Sequence, residues 1–252
     1  MTINVVLAFM IIVSFLISVS LHEVGHALMA TWLGDPTARA EGRLSLGLRS
    51  HLDPLGTMLC VILAFFAVPS GPVGLGWGKP VKPDPWKLRG GPNAGTLLVS
   101  LGGIFMNIIV GVLAAIVLRL LPASFTALPT SGGNAFIIRI PQFVLTFASV
   151  NFCLAIFNLI PLYPLDGYQI LYTLLPNRQA VGFSRSATYG PFIILILIFL
   201  LPFLGQISGT SSFPLFHISY YILLGSLKLV SLISSIDLSP LVGTSLLDIY
   251  LW

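Results

Sequence analysis

The stretch Leu21-His22-Glu23-Val24-Gly25-His26-Ala27-Leu28-Met29-Ala30 decides how this chain folds. It lies in an apolar run from Ile3 to Leu33, in which His22, Glu23 and His26 are the ionisable residues and which Gly34-Asp35-Pro36 ends. A bilayer-spanning helix needs about 20 apolar residues, so the run is long enough to cross. A carboxylate at bilayer depth costs roughly 2.5–3.5 kcal/mol unless it has a partner or a task. On a helix, positions i and i+4 share a face, so His22 and His26 can set two imidazole nitrogens on one metal ion. Glu23 then sits beside them, placed to take a proton from an attacking water. This is the arrangement of zinc hydrolases. Two buried histidines bonded to backbone carbonyls, with a stray acid between them, would leave the cost of Glu23 unexplained.

Composition points the same way. Hydrophobic residues form 56% of the chain and charged residues 8%, with a mean hydropathy of +0.98. An ordinary soluble domain carries about 25% charged residues. The fold class expected is therefore an all-α polytopic membrane protein with the lipid bilayer as solvent, in one integral-membrane domain over 1–252. The net charge of +4 is small, and the basic residues sit in loops between apolar runs. That suits anionic headgroups and excludes a nucleic-acid partner. Cys60 and Cys153 lie in apolar stretches and suggest neither a disulfide framework nor a metal site. Met1 to Ser20 lacks a basic n-region and a small-residue cleavage site, so it reads as a retained helix.

Further apolar runs cover Leu55 to Val68, Leu97 to Leu121, Ile137 to Ile160, Phe192 to Leu204 and Phe216 to Ile236, with a short helical piece at Gly167 to Leu175. Arg39, Arg43 and Arg49 follow the first helix. Lys79, Lys82, Lys87 and Arg89 precede the third, and Arg178 and Arg185 follow the fourth. Three basic loops favour the cytoplasmic side. If Leu55 to Val68 crossed fully, two of them would lie on opposite faces. Leu55 to Leu75 is therefore expected to dip in and return, packed on protein where its backbone is satisfied. The expected architecture is about five transmembrane helices plus this re-entrant segment, or six crossings. The catalytic core would span roughly 1–175, with accessory helices at 189–236.

Zinc held by two histidines needs a third protein ligand and keeps one position open. Apart from Glu23, Asp166 is the acid that follows a long span within a break able to stay at membrane depth. Its context is Asn158-Leu159-Ile160-Pro161-Leu162-Tyr163-Pro164-Leu165-Asp166-Gly167. The prolines remove donors and unwind the helix. Asp166 is then either the third ligand or a residue capping the following helix; the incomplete two-histidine site favours the ligand. Depth agrees. The first helix would run inward and place His22 and His26 in its inner part, the third would run outward from Asn107, and the fourth would return with Asn158 and Asp166.

With these motifs in place, the chain resembles the site-2 protease family, zinc metalloproteases that cut membrane-spanning segments. His22-Glu23-x-x-His26 matches the family's first motif, and Asn158-x-x-Pro161-x-x-Pro164-Leu165-Asp166-Gly167 its second. Gly78-Lys79-Pro80-Val81 and His51-Leu52-Asp53-Pro54-Leu55-Gly56 are similar to the compact prokaryotic branch without a PDZ domain. The resemblance covers roughly Leu21 to Leu175. It implies one zinc ion per chain on His22, His26 and Asp166, with Asn158 helping to bind substrate or the oxyanion. It also implies transmembrane protein substrates, a prokaryotic cell (inner) membrane, and a site towards the cytoplasm. One position departs: the family's Gly-Pro before an asparagine is Gly102-Gly103-Ile104-Phe105-Met106-Asn107 here. Asn107 can still reach the site as a substrate or oxyanion group, or it can bond between helices within the bundle.

The reaction implied is peptide hydrolysis, with Glu23 as general base and Asn158 or Asn107 steadying the oxyanion. Val73 to Val81 could offer a strand edge to an unwound peptide or serve as an interfacial loop. Two rivals are a transporter whose intramembrane charges form an ion path and an idle scaffold that binds membrane segments. His51 and His217 receive no role, and Lys228 is read as snorkelling.

Overall fold

Gly34 closes the first helix in the way its sequence predicts. It adopts φ +102, the left-handed region that suits glycine. Its N–H donates to the Thr31 carbonyl at 3.1 Å, and the Asp35 N–H donates to the Ala30 carbonyl at 3.0 Å. This is the paired 5→2 and 6→1 bonding that satisfies the orphan carbonyls of a helix end. The computed structural model describes residues 5–45, 47–65, 73–121, 140–208 and 214–236. Its main helices are α1 (Val5–Trp32), α2 (Pro54–Phe65), α3 (Gly91–Leu120), α4 (Ile140–Phe157), α5 (Asp166–Leu174), α6 (Asn177–Gly205) and α7 (Pro214–Ser234). Of these, α1, α3, α4, α6 and α7 are long and apolar enough to cross a membrane. Among the described residues there is no strand, only an isolated antiparallel bridge between Leu52 and Gly78.

That bridge settles the path of the second apolar run. Lys79 N–H donates to the His51 carbonyl at 2.7 Å, and Val73 N–H donates to the Leu63 carbonyl at 3.3 Å. The chain thus leaves at Leu52 as α2 and is back beside Leu52 at Gly78, a re-entrant hairpin. Residues 66–72, part of the stretch expected to turn back, lie outside the described residues. The loops on either side are tied together as well. Asp35 Oδ2 accepts from the Asp84 N–H at 2.7 Å, and the Leu33 carbonyl accepts from the Arg89 N–H at 2.8 Å. The Arg43 guanidinium donates to the carbonyls of Ser50 and Lys79. The two basic loops therefore share one face.

Several boundaries differ from the sequence expectation. α3 begins at Gly91, not Leu97, because Gly90 and Gly91 turn the chain with φ +90 and +87 and Pro92 pre-sets the first helical turn. A Gly-Gly-Pro-Asn cluster reads as loop; here it is a helix start. Ile137 to Arg139 lie outside the described residues, so α4 is seen from Ile140. α6 begins well before the apolar run at Phe192, passing through a tighter 3-10 turn at Arg185–Tyr189 ahead of Pro191.

α3 is the central helix, packed on α1, α4, α5 and α7. Phe15, Met10 and Ile11 of α1 meet Leu59 and Leu63 of α2 and Phe152, Leu154 and Phe157 of α4 in one core, which Ile194 and Ile198 of α6 and Leu223 and Leu227 of α7 extend. Cys60 and Cys153 are free and buried in that core, where Cys153 Sγ donates to Ser226 Oγ at 3.2 Å.

Candidate metal centre

Two glycines let α1 and α3 touch backbone to backbone where the histidines lie. A Cβ at Gly25 would sit 2.6 Å from the Gly102 carbonyl oxygen and 2.7 Å from Met106 Cβ. A Cβ at Gly103 would collide with His26 Nε2 and stand 2.7 Å from His22 Cε1. The imidazoles occupy the space that a side chain at 103 would fill. α3 runs unbroken through Gly102 and Gly103, so the missing proline leaves the helix intact.

His22 and His26 project from one face of α1, one turn apart, with their Nε2 atoms 3.0 Å from each other. Asp166 arrives from the other side. α4 ends at Phe157, the chain unwinds through Pro161 and Pro164, and the Asn158 carbonyl accepts the Gly167 N–H at 2.6 Å. That bond ties the start of α5 back to the end of α4. Asp166 is the first residue of α5, one past the N-cap position that Leu165 occupies. Its carboxylate reaches both histidines, Oδ2 at 3.1 Å from His22 Nε2 and Oδ1 at 3.2 Å from His26 Nε2.

The two Nε2 atoms thus lie 3.0 Å apart, and each is 3.1–3.2 Å from a different oxygen of Asp166. Zinc bonds of about 2.0–2.1 Å at tetrahedral angles set ligand atoms about 3.3–3.4 Å apart. The residues fit the ion. Two Nε2 lone pairs facing each other repel unless a proton or a cation lies between them, and Asp166 Oδ2, 3.1 Å from His22 Nε2, is buried. His26 Nδ1 lies 2.7 Å from the Val99 carbonyl, so Nδ1–H donates there and Nε2 keeps its lone pair for a metal.

Glu23 is buried beside the triangle, with its carboxylate and the two histidines offering ligand atoms within 4.8 Å of one another. The returning segment Val73 to Val81 lies against it. A Cβ at Gly78 would collide with Glu23 Oε1, and the Val81 backbone hydrogen-bonds to the same carboxylate. Glu23 Oε2 is buried without a partner. Asn158 is buried too, with its Nδ2 donating to the Leu154 carbonyl at 3.0 Å, which leaves the second amide hydrogen. Asn107 lies on the far side of His22, its Nδ2 3.2 Å from His22 Nδ1. His51, without a role in the sequence, is fully buried with Nε2 2.6 Å from the Ser45 carbonyl, below the hairpin's closing bridge. Sequence reading quoted Gly78 and Gly103 within motifs but gave them no role at the site, and it did not single out the Val99 carbonyl; the doubled glycine inside an apolar helix was the available signal for Gly103.

Comparison with known proteins agrees with this geometry. Residues 10–201 match the profile of Peptidase family M50. YwhC of Bacillus subtilis (strain 168), named as a candidate zinc metalloprotease, is 32% identical over 76% of this chain and 80% of its own length. Rip2 of Mycobacterium tuberculosis (strain ATCC 25618 / H37Rv), named likewise, is 29% identical over 78% of this chain and 68% of its own length. No solved structure gives a significant match. With five apolar helices long enough to span a bilayer among the described residues and a buried His-Glu-His group, the chain belongs to Peptidase family M50 and is a zinc metalloprotease of membranes.

Proposed function

We propose that this chain is an intramembrane endopeptidase that hydrolyses peptide bonds in the transmembrane segments of other membrane proteins. In this reading His22, His26 and Asp166 hold one zinc ion, and the site opens towards the cytoplasm of a prokaryotic cell membrane. The observation that carries it is the triangle of His22, His26 and Asp166 atoms, buried between helices that are themselves of membrane-spanning length. Held by these residues, a zinc ion would supply Lewis acidity, the property that lets such sites activate water near neutral pH. The remaining work falls to the chain. Glu23 takes a proton at its unpartnered Oε2 from the attacking water and returns it to the leaving amine. Asn158 turns its free amide hydrogen towards the oxygen that gains charge.

A helical substrate has its carbonyls tied in i→i−4 bonds, so it must unwind before attack. The extended segment Val73 to Val81, which passes beside Glu23, offers backbone groups to such an unwound strand. The site lies on the side of the bundle where both basic loops are joined, which the excess of Lys and Arg assigns to the cytoplasm.

The test is purification in detergent, zinc analysis, and cleavage of a model transmembrane substrate by the native chain and by Glu23→Gln. Zinc near one per chain in both is expected, with kcat lower by about 10³-fold in Glu23→Gln, within the range of general-base loss. Equal cleavage by the two would sink the mechanism. A chain that carries no zinc and transports an ion would support the rival reading.

A further inference from the structure

Asn107 is fully buried in the middle of α3, where an amide group left without a partner is destabilising. Its Nδ2 lies 3.2 Å from His22 Nδ1, while its Oδ1 has no partner. His22 Nδ1 is the ring nitrogen turned away from Asp166 and His26; Nε2 is the one turned towards them. A neutral imidazole carries its proton on one nitrogen, so for Nε2 to offer a lone pair, Nδ1 must be the donor. A donor Nδ1–H facing a donor amide is a mismatch. A half rotation of the amide exchanges its oxygen and nitrogen and sets the orphaned Oδ1 against Nδ1–H. That one rotation removes the donor–donor mismatch at His22 and gives Oδ1 its partner, while the amide nitrogen takes the place that Oδ1 held.

We propose that Asn107 accepts the Nδ1–H of His22 and is a positioning residue that holds this imidazole with Nε2 aimed at the metal. The proposal rests on reading His22 as a zinc ligand. It gives His22 the same kind of partner that the Val99 carbonyl gives His26. Partners of this kind set ligand tautomer and orientation, and their loss typically weakens metal binding by about 10- to 100-fold. The backbone of Gly103 also reaches His22, so the experiment must separate the amide from that carbonyl. Asn107 is thereby taken from the oxyanion role, because its amide is engaged on the side of His22 opposite the ligating nitrogen.

Asn107→Asp distinguishes the roles. Aspartate is isosteric and can accept but, ionised, cannot donate, so it preserves an orienting acceptor and abolishes an oxyanion donor. Zinc affinity is measured by chelator competition on the detergent-purified native chain, Asn107→Asp and Asn107→Leu, with kcat and KM on a model substrate and a Co²⁺ absorption spectrum. Expected is zinc affinity within about threefold of native in Asn107→Asp with kcat retained, and a loss of about 10- to 100-fold in Asn107→Leu. Native zinc affinity in Asn107→Leu would overturn the proposal, leaving the Gly103 carbonyl sufficient. Native zinc affinity with a collapsed kcat in Asn107→Asp would overturn it in favour of the oxyanion role. If Asn107→Leu does not fold, Asn107→Asp decides alone: a zinc loss there overturns the proposal. Absence of zinc from the native chain would instead defeat the functional reading beneath it.

Discussion

Asp166 joins two stretches of sequence that are far apart, and its removal tests that join most directly. In the proposed zinc site, Asp166→Ala would leave His22 and His26 with two open positions on the metal. Zinc retention after gel filtration is expected to fall by at least about tenfold relative to native, as metal analysis would show. Gly103→Ala probes the same site from α3. The added methyl has nowhere to go but into the two imidazoles, so a loss of bound zinc comparable to that of Asp166→Ala is expected. Gly103→Ala with native zinc content would show that the rings can give way. At this scale the sequence was most legible for His22, Glu23 and His26, because i, i+4 spacing places two rings on one face whatever surrounds the helix. Asp166 was legible as the acid in the right break, yet whether it capped a helix or joined the histidines depended on where α5 docks. Gly103 and the Val99 carbonyl were hidden, since a backbone group or a missing side chain acts only through what it faces.

Beyond the shared core, the loops between elements tie them together. Asp35 is fully buried just beyond the end of α1 and accepts three hydrogen bonds. These come from the Thr37 N–H at 3.0 Å, the Thr37 hydroxyl at 2.5 Å and the Asp84 N–H at 2.7 Å. It pins the strap that leads into α3. Asp35→Ala is expected to cost about 3 kcal/mol, because donors to a charged acceptor are left buried. Burial alone would raise the Asp35 pKa, but the bonds from Thr37 and Asp84 outweigh it and hold the carboxyl below its usual range. The folded-state pKa is therefore depressed. Its stabilisation is present above the unfolded value of about 3.9 and is lost as pH falls through the folded value. Thermal unfolding in detergent should show the gap between native and Asp35→Ala constant from pH 7 to 5 and closing below about pH 4. A gap that widens on acidification would contradict the sign. The start of α3 shows why element boundaries were harder to read than element existence. Gly90-Gly91-Pro92 favours turn and helix start alike, and the bond from Arg89 to Leu33 and the packing of Leu88 on Leu33 bring this turn against α1.

For the whole molecule, the re-entrant hairpin decides which loops share a side. Cysteines substituted singly for Arg39, Lys82 and Arg178, in a chain with Cys60 and Cys153 replaced by Ser, are expected to react with an impermeant maleimide from the same face of the membrane. Labelling of Lys82→Cys from the face opposite Arg39→Cys would show that Leu55 to Leu75 crosses after all. The charge pattern anticipated this topology because Lys and Arg resist translocation, and the bridge between Leu52 and Gly78 closes the hairpin that the pattern required. Composition and helical spacing by themselves determined a membrane-embedded helical bundle with two histidines and a glutamate on one helix. Those properties are local: hydropathy and the 3.6-residue repeat act along the chain without reference to its neighbours. The tertiary structure alone decided that Asp166 meets both histidines, that Asn107 stands behind His22, and that a glycine-bearing extended segment covers Glu23. Each of these depends on how closely two distant backbones approach, and that distance is set by Gly25, Gly78, Gly102 and Gly103 only once the helices are packed.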